Sequence, residues 1–116
     1  MSTSKHTPHF PKATLLYNNP KTLKILSYSR KHKVYGQGGS GFSSIEHPGP
    51  IVGVRKDESH DYRVEVLIHE FTHIAETELL QNNIISEPPS EIYVEELSCR
   101  LFHYLKHAGM LVDVEQ

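Results

Sequence analysis

The chain has a single cysteine, Cys99, so no intrachain disulfide can staple it, and that scarcity fits a reducing compartment. It has no apolar run near the ~20 residues that a membrane-spanning helix needs. Behind Met1-Ser2-Thr3-Ser4-Lys5-His6 there is no apolar stretch of the kind that forms the core of a signal peptide. A cytoplasmic protein without a membrane partner is therefore expected. An excess of charge of one sign is lacking as well. The formal net charge of −2 gives no bulk attraction to nucleic acid or to anionic lipid, and nucleic acid is not an expected partner. The 116 residues suffice for one domain with one modest core. A phosphate cradle is missing too, although Gly36-Gln37-Gly38-Gly39-Ser40-Gly41 has the spacing G-x-G-x-x-G. A dinucleotide site needs a helix opening directly after the glycines, whereas here Phe42-Ser43-Ser44-Ile45 leads into His47-Pro48-Gly49-Pro50. The run reads as a turn between short strands.

What the chain has in excess is histidine, nine in all. Two of them stand four residues apart in Leu67-Ile68-His69-Glu70-Phe71-Thr72-His73-Ile74, an H-E-x-x-H pattern. On a helix, positions i and i+4 share a face one turn apart, so His69 and His73 can offer ring nitrogens to one metal ion. Glu70 lies about 100° further round the helix, where it can reach a water bound to that ion rather than the ion itself. Two neutral imidazoles suit Zn²⁺, which in catalytic sites takes three protein ligands and leaves one position open.

The surroundings are helical. Val64, Leu67, Ile68, Phe71, Ile74, Ala75 and Leu79 recur at helical spacing and predict a helix from about Asp61 to Gln81, stopped by Asn82-Asn83. A second helix is predicted from Ser90, a capping residue, to Gly109, with Ile92, Leu97, Leu101, Tyr104 and Leu105 as its core face. Upstream, Ile51-Val52-Gly53-Val54 reads as a short strand, with a free edge that could bind an extended peptide. Asn19-Pro20 followed by Leu23, Ile25 and Leu26 reads as the start of an N-terminal helix. That helix would end at Arg30-Lys31-His32-Lys33, where cations complement its dipole. Residues 1–13 read as a flexible tail, and 14–116 as the domain.

Two histidines need a third protein ligand. A helix packed antiparallel on the first would bring its early turns beside His69 and His73, which makes Glu95 the expected ligand, with Glu96 and then Glu91 as alternatives. Cys99, His103 and His107 also repeat at helical spacing, but three ligands on successive turns span about 12 Å, too far for one ion. Cys99 is expected instead as a small core residue near Glu95, with His103 and His107 at the surface.

H-E-x-x-H on one helix, completed by a Glu on the next, resembles the gluzincin metallopeptidases. The order of elements, from Ile51-Val52-Gly53-Val54 through Val66-Leu67-Ile68-His69-Glu70, is most similar to the small ImmA/IrrE-type metallopeptidase domains. The family pattern E-x-E-A-N-x-F-A would fall on Glu95-Glu96-Leu97-Ser98-Cys99-Arg100-Leu101-Phe102, where Ser98 keeps a small residue and Leu97 and Cys99 depart. Thr72 stands where a glycine is common. The resemblance implies a minimal zincin-like α+β domain: an N-terminal helix, a short β-hairpin or small sheet, and the H-E-x-x-H helix packed on a C-terminal helix with the third ligand. It implies a zinc metallopeptidase, with Zn²⁺ on His69, His73 and Glu95, and Glu70 as general base toward the metal-bound water. Its substrate would be a peptide or protein, and its role regulatory rather than digestive. Tyr62, Tyr93, Tyr104 and His60 are candidate donors to the transition-state oxyanion. The alternative from the same residues is a non-catalytic, zinc-stabilised regulatory or protein-binding module.

Overall fold

The computed structural model describes residues 10–17, 21–33, 35–36, 38–45 and 49–111. They form strands β1 (Ala13–Leu15), β2 (Thr22–Tyr28), β3 (Gly41–Ser44) and β4 (Ile51–Arg55), then helices α1 (His60–Gln81) and α2 (Glu91–His107). This is an α+β arrangement of one four-stranded sheet and two helices.

The expected N-terminal helix is not formed; its central residues are β2. Leu23 and Ile25 alternate with exposed Thr22 and Lys24, so the apolar period is two and not 3.6. Three apolar residues in four positions fit either period, and the strand wins because it buries Leu23 and Ile25 together in the core on one sheet face, with Tyr28 buried on the other. Asn19 and Pro20, the expected cap, lie outside the described residues, as do residues 1–9 of the expected tail. The basic cluster Arg30–Lys33 is accordingly not a helix end. It lies in the turn after β2, where Arg30 Nε pairs with Asp57 Oδ2 at 3.1 Å.

The sheet order is β1-β2-β4-β3, with β2 and β4 parallel and the outer pairs antiparallel. Ile51–Arg55 is therefore paired on both sides and is not a free edge; β3 is the outer strand on that side of the sheet. Phe42 faces Gly53 across this pair, and a Cβ on Gly53 would lie 2.0 Å from the Phe42 ring. Phe42 is stacked in turn on Tyr35, with centroids 4.4 Å apart, and Tyr28 donates from its hydroxyl to Gly39 O at 2.9 Å. These contacts hold the segment leading into β3 against the sheet. The glycine run thus ends in a strand, as a turn and not as a cradle beneath a helix.

Leu16, Leu23, Ile25, Val52 and Val54 of the sheet region share a core with Leu67 and Ile74 of α1. Phe10 packs against this core, and the Arg63 guanidinium lies 3.9 Å from its ring centre. Ser59 caps α1, and Asn83, at φ 59°, closes its other end in the left-handed conformation. The predicted limits of α1 therefore agree with the structure to within a residue. Ser90 likewise caps α2, and Gly109 at φ 78° ends it, with Met110 N bonded back to Leu105 O and Gly109 N to Lys106 O.

α1 packs on β3 and β4 on one side and on α2 on the other, whereas α2 packs on α1 alone among the elements. The face α2 uses is only partly the expected one, with Leu97 and Leu105 half-buried. Val94 and Ser98 are fully buried against α1, while Ile92, Leu101 and Tyr104 are exposed. The helices run antiparallel, since Lys106 pairs with Asp61 at one end and Glu91 meets His69 and His73 at the other. No helix among the described residues is long and apolar enough to cross a membrane.

Candidate metal centre

The sheet, α1 and α2 leave a cavity of about 600 Å³, roofed by Ser40 to Ser43 and walled by both helices. His69 and His73 lie on its floor, one turn apart on α1, with ring centroids 4.9 Å apart. Their Nε2 atoms converge on one carboxylate. His69 Nε2 is 3.0 Å from Glu91 Oε2, and His73 Nε2 is 3.1 Å from Glu91 Oε1.

Donor atoms of His69, His73 and Glu91 all lie within 4.8 Å of one another. Two tetrahedral donors, each ~2.0–2.1 Å from a zinc ion, stand about 3.3 Å apart, so the observed spacing fits one ion with little movement. Two imidazoles and a carboxylate are also a donor set suited to catalytic zinc. Among the described residues the cavity lining includes five glutamates and no lysine or arginine to compete for the site.

Glu95, the expected third ligand, occupies a different position. Its Oε1 is 3.1 Å from His69 Nδ1, on the side of the ring away from Glu91. Glu91 and Glu95 share a face of α2, and the axial offset between the helices sets Glu91 opposite the two Nε2 atoms. Glu96 is turned to Arg100 and plays no part. Glu76 was not anticipated. It is buried, and its Oε1 is 3.2 Å from His73 Nδ1. The signal was available in principle, because i and i+3 share a helical face.

Glu70 is buried to 7% exposure under β3, beside the histidines. Burial raises its pKa above the usual carboxylate value, against a hydrogen bond from Ser43 and the pull of His69 and His73. Gly41 makes this closeness possible. A Cβ there would lie 2.6 Å from Val66 Cγ1, 2.9 Å from Gly53 O and 3.1 Å from Glu70 Oε2.

Of the four candidate oxyanion donors, Tyr62 alone borders the cavity among the described residues, with its hydroxyl 3.1 Å from Ser40 Oγ. Tyr93 and Tyr104 are exposed, and His60 borders a separate apolar groove beside Phe10. Cys99 donates from its thiol to Glu65 Oε2 at 3.1 Å, and the more distant Glu95 Oε2 is at 4.0 Å. The hydrogen bond to Glu65, with burial and nearby acidic charge, pushes the thiol up to about 11. His103 and His107 face each other at 4.4 Å on the exposed side of α2.

Fold and site together define an α+β chain with a candidate three-residue metal centre between two antiparallel helices. No family model matches the chain, and neither does any curated protein or solved structure.

Proposed function

We propose that the chain is a zinc-dependent metallopeptidase of the gluzincin type, with His69, His73 and Glu91 as metal ligands and Glu70 as general base. The observation that carries this reading is the convergence of both Nε2 atoms on Glu91, with the buried Glu70 carboxylate alongside. Bound zinc would polarise the scissile carbonyl and acidify the attacking water. Glu70 takes the proton from that water and delivers it to the leaving amine. Its burial suits this role, since a carboxylate with a raised pKa is a stronger base. Glu95 holds the His69 ring from behind. The peptide lies along the outer edge of β3, which borders the cavity, and adds to it as an extended strand. Tyr62, at the end of that strand, donates to the oxyanion.

Metal analysis and protein-cleavage assays on the wild type, Glu70→Gln and Glu91→Gln test this. Glu70→Gln retains zinc and loses cleavage; Glu91→Gln loses zinc. Unchanged cleavage by Glu70→Gln sinks the reading.

The second reading, a non-catalytic zinc-stabilised module, draws on α2 being held by α1 alone. A metal bridging the two helices then serves the fold. That reading expects no cleavage by the wild type, with zinc retained and thermal stability still zinc-dependent in Glu70→Gln.

A further inference from the structure

Glu76 follows His73 by three residues and so stands on the same face of α1, on the far side of the ring from Glu91. Its residue exposure is 9%. One oxygen, Oε1, is within hydrogen-bond distance of His73 Nδ1. The other, Oε2, is shielded from solvent and has no hydrogen-bond partner among the described residues. A polar group left so carries a desolvation cost that no hydrogen bond offsets. An apolar residue would avoid that cost at this position, so the carboxylate needs a reason.

We propose that Glu76 is a positioning residue for the metal centre, a proposal that rests on the zinc reading above. A neutral imidazole carries its proton on either ring nitrogen, and only the form with a bare Nε2 can ligate on that side. With Glu76 as acceptor at Nδ1, the proton of His73 sits there. The Nε2 lone pair then points toward Glu91 and the ion. A cation drawing electrons through Nε2 makes the Nδ1 proton a stronger donor, so the bond to Glu76 tightens on loading. The half-satisfied carboxylate is thus a burden on the metal-free protein that metal binding offsets. Glu76 thereby couples zinc affinity to stability.

The test measures zinc affinity by chelator competition and thermal midpoints with and without zinc, for the full-length wild type, Glu76→Gln and Glu76→Ala. Carboxylates that accept from the far nitrogen of a ligating histidine typically contribute ~10–100-fold to metal affinity, so Glu76→Gln is expected to weaken zinc about 10-fold and Glu76→Ala to approach ~100-fold. Metal-free Glu76→Gln is expected to melt no lower than the metal-free wild type, and its rise on adding zinc is smaller. The Co²⁺-loaded variants also show an altered visible spectrum relative to the Co²⁺-loaded wild type. Zinc affinity within twofold of wild type in Glu76→Gln overturns the proposal, even if Glu76→Ala fails to fold. Equal loss of midpoint in the metal-free and loaded forms, with affinity unchanged, marks Glu76 as merely structural and overturns it too. In those outcomes the wild type still binds zinc, and the metal centre itself stands. A wild type that binds no zinc removes both.

Discussion

At the scale of the residue, the two glutamates of α2 that touch the histidines differ in kind. Glu91 meets both Nε2 atoms and Glu95 one Nδ1. Glu91→Ala is expected to abolish tight zinc binding, whereas Glu95→Gln weakens it ~10–100-fold, as measured by chelator competition. Equal effects would show that the two roles are not distinct. The Cys99 thiol gives a prediction with a pH axis. Held at about 11 rather than at its ordinary value of 9.0, it stays protonated across the neutral range. Alkylation by iodoacetamide at pH 8 is therefore slow, since only about one thiol in a thousand is ionised, and the rate climbs until the pH passes about 11. Glu65→Gln removes the largest cause and moves that profile to lower pH; an unmoved profile contradicts the Glu65 contact. Residue identities on α1 were legible because H-E-x-x-H carries its own geometry. Glu91 shares a face of α2 with Glu95 but lies at the helix end, which ranks it lower on sequence alone, and no local pattern encodes how far one helix slides along another.

At the scale of the element, two close approaches position the site. Gly41 lets β3 run beside Val66 and Glu70, and Ser98, at 1% exposure, lets α2 sit down on α1. Gly41→Ala places a methyl group against backbone oxygen as well as side chains, and is expected to cost about 1–3 kcal/mol and to disturb Glu70. Denaturant unfolding measures the first effect, and cleavage rate at constant zinc content the second. Ser98→Leu is expected to cost a similar amount by lifting α2 from α1, and to lower zinc affinity because Glu91 moves with the helix. Normal zinc affinity in that variant would separate Glu91 from the packing of α2. Helix ends were readable from Ser90, Asn83 and Gly109, where chemistry is local. The N-terminal helix was misread because Leu23, Ile25 and Leu26 are too few to separate two periods, and the pairing of β2 with β4 is a long-range fact. The further pairing of β4 with β3 moved the free edge from Ile51–Val54 to β3.

At the scale of the whole molecule, α2 depends on α1 and on whatever joins Glu91 to the two histidines. Chelation is expected to lower the melting temperature and to speed amide exchange in α2 more than in β2 and β4. Uniform exchange across both helices and the sheet would argue against a metal bridge. The α+β class was legible from the resemblance together with the helical and strand-like runs. The composition said nothing of the layer order, which places α1 between the sheet and α2.

That layer order sits on a sheet whose middle is made by distant partners. β2 and β4 pair side by side although β3 and the loops around it lie between them in the chain, so the central ladder closes a long loop. Such pairings carry a large entropy of closure and slow the search for the native topology. β3 can dock only after β4 is in place to receive it, and β3 is the roof over Glu70. In refolding, the central sheet and α1 are expected to form first and the cavity last. A destabilised β3, as in Gly41→Ala, should then raise the unfolding rate and leave the folding rate nearly unchanged.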